Sequence, residues 1–306
     1  MELEERIRQI AGMNKRILTA GLILTGISAV LCMFFLFYTR LGKPVFLYHY
    51  YEVGLPVNEM SHEEGKFVLY YIADRWDNRK VTGISFKEAP EIRFQATEDK
   101  NDNGWFGSYN IGIQQGENYG RYTLHSVYVS MTGGREDWNP EGKQLTQANF
   151  EFMDGTRLSA DIGRIHFYKP EDPETPLESY SGSASSDGTA SVTFHIKSGI
   201  SLIKIDSPFM EEVDKLYEIK VDSYDGKNIS GIRYGKGSSM TIYSIRKPVA
   251  GVIEQMSFYD LKPCIYFKSP DGKTGTERIY NLNYNISNRW FSQLQIYKYL
   301  RVRGEL

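Results

Sequence analysis

The sharpest chemical pattern in the sequence is the polar run Asp99-Lys-Asn101-Asp-Asn103-Gly104. Asp99, Asn101 and Asn103 alternate as at the start of a calcium-binding loop, where side-chain oxygens converge on one ion and a glycine allows the tight turn. The position for a bidentate glutamate holds Asn110 instead, and no helical pattern flanks the run. Asn, Asp and Gly also form ordinary turns between strands. The run therefore indicates either a calcium site or a plain turn, and the incomplete match favours the turn.

Three tryptophans in turn-like sequences form a second candidate site. Trp76, Trp105 and Trp138 lie in the sequences Arg-Trp-Asp-Asn, Asn-Gly-Trp-Phe and Asp-Trp-Asn-Pro. If these turns gather at one end of a β-structure, their flat apolar rings beside hydrogen-bonding groups suit a carbohydrate or a peptide ligand. The alternative is that each ring folds back and covers the end of the core.

Signatures of catalysis are absent from the sequence. It has no nucleophile elbow, no phosphate-binding loop and no dinucleotide fingerprint, and its five histidines form no H-E-x-x-H motif. His125 lies in an alternating apolar and polar run, which is typical of a half-buried strand residue. We therefore expect no catalytic residues, no enzyme activity and no cofactor other than the calcium considered above.

The composition predicts a folded protein without a nucleic-acid surface. Charged residues make up 24%, hydrophobic residues 41%, and the formal net charge is −2 with both signs interleaved. Of the two cysteines, Cys32 lies in an apolar segment, and Cys264 lies far from that segment in the chain. They cannot meet if that segment spans a bilayer, and an exterior region without disulfides favours a bacterial surface.

The apolar segment Ile17–Tyr38 predicts a single transmembrane helix. Its 22 residues carry no charge and would span about 33 Å, against a hydrocarbon core of about 30 Å. A cleaved signal peptide is the alternative, but its apolar core would be shorter and followed by a small-x-small site. Tyr38-Thr-Arg40 offers no such site, so we expect an uncleaved signal-anchor.

The basic residues around this segment predict its orientation. Four precede it and two follow it closely: Arg6, Arg8, Lys15 and Arg16 before, Arg40 and Lys43 after. Because Lys and Arg favour the cytoplasmic side, residues 1–16 should form a short cytoplasmic stub. The remainder of the chain should lie outside the cell membrane.

Two features of the N-terminal region suggest protein contacts. Gly21, Thr25 and Ala29 are spaced four apart, a pattern that lets membrane helices approach closely, so a homodimer is one hypothesis. Leu3, Ile7 and Ile10 would share one side of a helix in the stub and could dock a partner. The simpler interpretations are a common membrane-helix composition and a plain anchor flank.

The chain after the apolar segment is predicted to be mainly β. Short strand-like runs are separated by clusters of Asn, Asp and Gly, which is typical of antiparallel β-sandwiches or barrels. We expect one sandwich-like domain at 45–168 and another at 191–303, because the intervening 169–190 is rich in Pro, Ser, Gly and acidic residues and suits a linker. The tail after Trp290 fits a strand or a short helix.

The two predicted domains show a weak internal similarity. Leu69-Tyr-Tyr-Ile and Val81-Thr-Gly-Ile in the first correspond to Leu216-Tyr-Glu-Ile and Ile229-Ser-Gly-Ile in the second. The spacing between the blocks differs by one residue. An internal duplication would explain this, and so would the shared demands of any strand–turn–strand sequence.

These patterns predict a single-pass membrane protein with an exterior β-rich region that binds a partner. The partner would be a protein or a cell-envelope polymer, in addition to the lipid bilayer itself. The alternative is a transmembrane signalling protein whose exterior region senses a ligand and acts through the stub.

Overall fold

The structure is a computed structural model that describes residues 2–55, 65–98, 116–133, 143–169, 175–185, 188–280, 282–285 and 291–306. The calcium-like run, Trp105 and Trp138 lie outside these ranges. Within them the chain is mainly β, with one long apolar helix at the N-terminus and three sheets. The predicted fold class is therefore confirmed in its main features.

The N-terminal helix α1 (Glu2–Tyr38) joins the predicted stub and the apolar segment in one element of 37 residues. From Ile17 to Tyr38 its mean hydropathy is 2.4, and none of this stretch is buried by the rest of the chain. The helix ends where the Thr39 hydroxyl donates a hydrogen bond to Phe35 O at 2.8 Å, five residues before Pro44. By length and composition, α1 is able to cross a membrane.

The remaining elements alternate strands with three short helices. In chain order they are β1 Val45–Phe46, β2 His49–Gly54, β3 Lys66–Asp74, β4 Val81–Phe86, β5 Arg93–Thr97, β6 Glu117–Tyr119, β7 Tyr122–Gly133, β8 Gln144–Phe152, β9 Arg157–Tyr168, β10 Leu177–Ala184, β11 Thr189–Ile196, β12 Ile200–Asp206, α2 Met210–Leu216, β13 Tyr217–Val221, β14 Tyr224–Asp225, β15 Arg233–Tyr234, β16 Ser239–Arg246, α3 Val252–Met256, β17 Phe258–Leu261, β18 Cys264–Lys268, β19 Thr274–Arg278, β20 Leu282–Tyr284 and α4 Gln293–Val302.

The largest sheet follows the order β1-β3-β7-β5-β4-β8-β9-β2-β17-β20, with β6 added on β7. β1 pairs with β3 at one end of this order, and β2 pairs with β9 near the other end. Because β1 and β2 follow one another within residues 45–54, the sheet rolls up. Phe46 stacks on Phe150 inside, with ring centroids 3.6 Å apart. Pairing is antiparallel except where β2 lies parallel to β9 and β17. The aromatic stretch after Pro44, which the sequence allows either as a belt at the membrane surface or as a first strand, is thus a largely buried strand region.

The side chain of His49 links the strands at the place where the sheet rolls up. Its Nδ1 lies 3.2 Å from Ile162 O and its Nε2 accepts a hydrogen bond from Tyr70 N at 2.9 Å, so the neutral ring bridges two strands. The neighbouring Gly163 has a φ of +90°, and a Cβ there would lie 2.5 Å from His49 O. Glycine is required because any side chain would clash with the parallel strand.

The second half of the chain forms two facing sheets. One has the order β10-β11-β16-β13-β14 and the other β15-β12-β18-β19. Phe194 and Ile242 from the first sheet and Leu202, Ile265 and Phe267 from the second lie in one apolar core. This arrangement is the predicted sandwich-like packing.

The C-terminal residues return to the first half. β17 and β20 extend the rolled sheet, while Ile296, Tyr299 and Leu300 of α4 are buried in the core of that sheet. The predicted second domain, 191–303, therefore contributes residues to both cores. The segment 169–190 is also more than a linker, because it contains β10 and the start of β11. Composition misled here, since the Ser- and Gly-rich residues of β10 are exposed along one edge strand.

The two blocks that suggested a duplication differ in structure. Val81–Ile84 lies in β4, whereas Ile229–Ile232 follows a 3₁₀ turn and precedes β15. A second pair of similar runs in the sequence, Phe152-Met-Asp-Gly155 and Phe267-Lys-Ser-Pro-Asp-Gly272, does form the same kind of turn, with φ values of +80° at Gly155 and +85° at Gly272. That likeness is what local turn chemistry alone produces.

Candidate functional site

Trp76 is the one predicted ligand-binding tryptophan within the described residues, and it is 81% exposed. It lies in the turn after β3, where its backbone N–H donates to Asp74 Oδ1 at 3.2 Å. The Arg75 backbone N–H donates to Arg121 O at 2.7 Å, which fixes the turn against the start of β7. The ring therefore projects outward instead of covering the core. Whether Trp105 and Trp138 join it stays a prediction, as does the calcium site at Asp99, Asn101 and Asn103.

Trp76 lines a cleft of about 1390 Å³ between the end of α1 and the β-rich region. We call this the helix-end cleft. One wall is formed by Met33, Leu36 and Phe37 of α1, and the opposite side includes Trp76 and Tyr297. Its surface combines apolar side chains with a group of arginines and aspartates. No sequence pattern predicted this cleft, because the residues that form it are far apart in the chain. Trp76 follows Leu36 by about 40 residues, and Tyr297 follows Phe37 by about 260.

Specific contacts fix the end of α1 against the β-rich region. The Tyr122 hydroxyl donates to Thr39 O at 2.8 Å, and the Arg121 guanidinium donates to Leu36 O. The rings of Phe35 and Tyr297 lie 6.4 Å apart. The carbonyls at a helix C-terminus have no partners within the helix. Here Arg121, just before β7, supplies a donor for Leu36 O, and Tyr122 supplies one for Thr39 O just beyond the helix, so the cleft has defined walls.

Two ion pairs organise the charges of the helix-end cleft. Arg121 Nε lies 2.9 Å from Asp74 Oδ2. Arg79 contacts Asp77 with both Nε and Nη2, at 2.9 and 2.6 Å. These hydrogen bonds from the guanidinium hold the pKa of Asp77 below its ordinary value. Both carboxylates of the cleft are therefore neutralised by neighbours.

Two further arginines of the cleft are exposed and lack an acidic partner. Within the described ranges, the side chains of Arg40 and Arg75 have no carboxylate within 4.0 Å and no hydrogen-bond acceptor. After the two ion pairs are counted, the cleft keeps a positive character. It can therefore bind an anion beside an apolar wall.

A buried polar cluster lies behind the cleft. Glu98 is 4% exposed, and its Oε1 accepts hydrogen bonds from the Tyr71 hydroxyl at 2.7 Å and from Val81 N at 2.6 Å. His125 stacks on Tyr71 with centroids 4.7 Å apart, and its Nδ1 is 3.4 Å from Glu98 Oε2. Burial, together with the adjacent carboxylate, raises the pKa of Tyr71. A tyrosine that resists ionisation in this way ties strands together and does not suit acid–base chemistry.

A second buried cluster joins the two halves of the chain. Glu52 is 1% exposed and accepts hydrogen bonds from Lys262 N at 2.6 Å and Ser207 Oγ at 3.1 Å, with Arg278 Nη1 at 3.4 Å. Burial raises the pKa of Glu52, and these donors oppose that rise. Arg278 also lies 3.5 Å above the ring of Tyr168. The cluster is closed on itself, so it serves structure.

The described residues give little support to the predicted protein contacts and to the predicted metal site. Gly21, Thr25 and Ala29 are exposed on α1, where the Thr25 hydroxyl donates to Gly21 O at 2.9 Å. A homodimer through this face stays a prediction. Among the described residues, no group of His, Cys, Asp and Glu is arranged to hold a metal ion.

Comparisons with known proteins identify no family. No protein-family model matches the chain, and no curated protein matches it. Among solved structures, the chain is similar to the D00-D0 domain of intimin at 5% identity and a TM-score of 0.23, over 78% of this chain and 100% of that one. It is similar to the sialic acid binding region of a Streptococcus sanguinis SK1 adhesin at 9% identity and a TM-score of 0.19, over 78% and 76%. It is also similar to BcpA, the major pilin subunit of Bacillus cereus, at 11% identity and a TM-score of 0.16, over 77% and 67%. TM-scores this low establish no shared fold, and no ligand is transferred from these proteins.

Proposed function

We propose that this protein is a single-pass membrane protein whose β-rich region lies outside the cell membrane and binds a protein or a cell-envelope polymer there. The observation that carries the proposal is that no residue of Ile17–Tyr38, an uncharged stretch with a mean hydropathy of 2.4, is buried by the rest of the chain. In water such a surface would be strongly unfavourable. Its 12 Leu, Ile, Val and Phe residues favour insertion by about −4 to −7 kcal/mol.

The proposed orientation follows from the distribution of basic residues. Four lie before the apolar stretch and two lie just after it, which favours a cytoplasmic N-terminus. The β-rich region then lies on the opposite side, where the helix-end cleft faces the bilayer surface. The protein would be held at a fixed height above the membrane by the hydrogen bonds to Leu36 and Thr39.

Binding without catalysis is supported by how the buried ionisable groups are used. Glu98 is held by Tyr71 and Val81, and Glu52 by Lys262 and Ser207. These carboxylates are satisfied within the protein and are not presented to a substrate. At the helix-end cleft, by contrast, the exposed groups include Trp76, Arg40 and Arg75, and tryptophan and arginine are enriched in recognition surfaces.

The test is capture of a partner by the full-length protein in a bilayer mimetic. The wild-type protein is cross-linked on intact cells with a membrane-impermeant reagent, and envelope polymers are screened on an array. A specific protein or polymer is expected, and deletion of residues 1–40 should abolish retention in the membrane fraction. If neither a protein nor a polymer is bound, the binding role is wrong.

A second candidate function is transmembrane signalling, favoured by the continuity of α1 from Glu2 to Tyr38. A change in the β-rich region could reach the stub through the hydrogen bonds from Arg121 and Tyr122. Replacing Ile7 and Ile10 by Asp should then abolish a cellular response at unchanged protein abundance. Tyr122→Phe, which removes one of these hydrogen bonds, should weaken the same response, and an unaltered response in both would exclude this function.

A further inference from the structure

We propose that the helix-end cleft is a binding site for an anionic phospholipid from the leaflet on the side of the β-rich region. The proposal deepens the membrane-anchored function above and rests on it. Three observations support it. The cleft lies at the level of the last turns of the apolar stretch of α1, exposed aromatic and apolar residues lie opposite the helix, and two arginines of the cleft lack acidic partners.

The depth of the cleft follows from the helix wall. Met33, Leu36 and Phe37 belong to the last turns of the apolar stretch that ends at Tyr38. Five residues from Met33 to Tyr38 correspond to about 7.5 Å along the helix axis. That depth matches the boundary between head groups and acyl chains, roughly 5–10 Å into the membrane surface. One wall of the cleft therefore already contacts lipid when α1 spans the bilayer.

The side of the cleft opposite α1 is also suited to lipid. Trp76 is 81% exposed and Leu294 is 59% exposed, although both line the cleft. Tryptophan is enriched at the level of head groups because its ring is apolar and its N–H is polar. Lys298 and Arg301, which are exposed, follow Leu294 on the same stripe of α4 at i+4 and i+7. This stripe pairs an apolar residue with basic ones, as on helices that lie on membrane surfaces.

The charges of the cleft select the head group. Asp74 and Asp77 are paired with Arg121 and Arg79, which leaves the positive charge of Arg40 and Arg75 available. A guanidinium binds a phosphate through two parallel hydrogen bonds. The phosphatidylglycerol head group has a net negative charge and no ammonium that these arginines would repel, whereas the zwitterionic phosphatidylcholine head group has one. A free phosphate would contact only the arginines, whereas a lipid would contact both the arginines and the apolar wall of α1, so a lipid is the better occupant.

The experiment measures which lipids stay bound to the purified full-length protein. The protein is inserted into vesicles of phosphatidylcholine and phosphatidylglycerol, extracted in mild detergent, and its retained lipids are quantified by mass spectrometry. Each basic residue near an anionic surface raises affinity about fivefold. We therefore expect phosphatidylglycerol to be enriched severalfold over its share in the vesicles, and excess inorganic phosphate to leave the enrichment unchanged.

Variants identify the residues responsible. Arg40→Gln with Arg75→Gln should bring the retained lipid back to the vesicle ratio. The matched control, Lys236→Gln with Lys273→Gln, removes the same charge from exposed positions in the second half and should keep the enrichment. A single charge reversal at the exposed Arg75, Arg75→Glu, should also reduce the enrichment. Enrichment that survives both arginine variants, or that inorganic phosphate abolishes, would overturn the proposal.

Failure of this proposal is distinguishable from failure of the anchor. Sedimentation of the same vesicles after an alkaline carbonate wash reports whether the protein is embedded. Protein lost from the vesicles contradicts the membrane anchor. Protein retained in the vesicles, with lipids bound in the vesicle ratio, contradicts the phospholipid site alone.

Discussion

Glu98 shows how a single buried carboxylate can connect several strands. Its Oε1 receives hydrogen bonds from Tyr71 of β3 and Val81 of β4, while His125 of β7 lies beside its Oε2. A buried carboxylate is costly unless donors satisfy it. The arrangement therefore stabilises the rolled sheet only as long as every donor is present.

Replacing Tyr71 by Phe should destabilise the protein by about 1–3 kcal/mol, because Glu98 would lose a donor while staying buried. The measurement is the thermal unfolding midpoint of the full-length protein in detergent. Tyr180→Phe is the matched control, since Tyr180 is 80% exposed and should lose almost nothing. Equal midpoints for the two variants would show that the Glu98 cluster contributes no stability.

The ion pair between Asp77 and Arg79 should make stability depend on pH. Because the folded protein lowers the pKa of Asp77, the ionised form stabilises it above the ordinary value near 3.9, and this contribution is lost as pH falls through the folded value. The difference in unfolding midpoint between wild type and Asp77→Asn should therefore be constant above about pH 5 and shrink below about pH 4. The same substitution at exposed Asp271 serves as control, and a difference that grows towards acid pH would contradict the assignment.

The fluorescence of Trp76 should show whether this side chain lies at the bilayer surface. In a variant that keeps only this tryptophan, its fluorescence should be quenched by lipids brominated near the head-group end of the acyl chain. Lipids brominated near the bilayer centre should quench it less, because the ring lies beside the end of α1. Absence of quenching by either lipid would place Trp76 away from the membrane.

At the scale of elements, α4 is the segment whose role the sequence left undecided. Its start is defined by a capping box between Ser292 and Gln295, and Ile296, Tyr299 and Leu300 are fully buried in the first core. The spacing of apolar residues in the tail did not decide between a strand and a helix, and it gave no indication of where the tail would pack. The core partners of α4 lie about 150 residues earlier in the chain. Local sequence patterns therefore could not indicate where the helix packs.

Truncation of Ile296 to Ala should cost about 2–4 kcal/mol, because a cavity would open in the core of the rolled sheet. Val302→Ala, on the exposed side of the same helix, should change stability by less than about 0.5 kcal/mol. Unfolding midpoints of the two variants check this. A similar small effect for both would mean that α4 is not part of the first core.

Strands bounded by turn residues were predictable, and a strand of small, exposed residues was not. The sequence predicts strand-like runs at Phe67–Ala73, Lys80–Phe86 and Tyr122–Met131, which match β3, β4 and β7 closely, whereas β9 begins five residues before its predicted run Ile162–Tyr168. β10 was missed because its side chains are small and exposed. The run Ile229–Tyr234 was predicted as a strand, and only its last two residues, Arg233 and Tyr234, pair with a neighbouring strand. Trp76 was identified from its turn context, whereas Arg40 and Arg75 gained meaning only when the fold brought α1 to β3.

For the whole molecule, the two cores are linked by more than the chain. β17 joins the rolled sheet to residues of the second core, and Glu52 reaches Lys262 and Arg278 across the junction. At the other end, Arg121 and Tyr122 fix α1. The β-rich region is therefore built to keep a defined orientation relative to the helix that we propose as its membrane anchor.

The most direct test of this anchorage is labelling of single cysteines on intact cells with a membrane-impermeant maleimide. Cys264 is buried, so the probe positions are Lys273→Cys, whose side chain is 86% exposed, and Asn14→Cys before the apolar stretch. We predict that position 273 is labelled in intact cells and position 14 only after lysis, with both proteins resistant to alkaline extraction. Labelling of position 14 alone in intact cells, or protein released into the soluble fraction, would contradict the account.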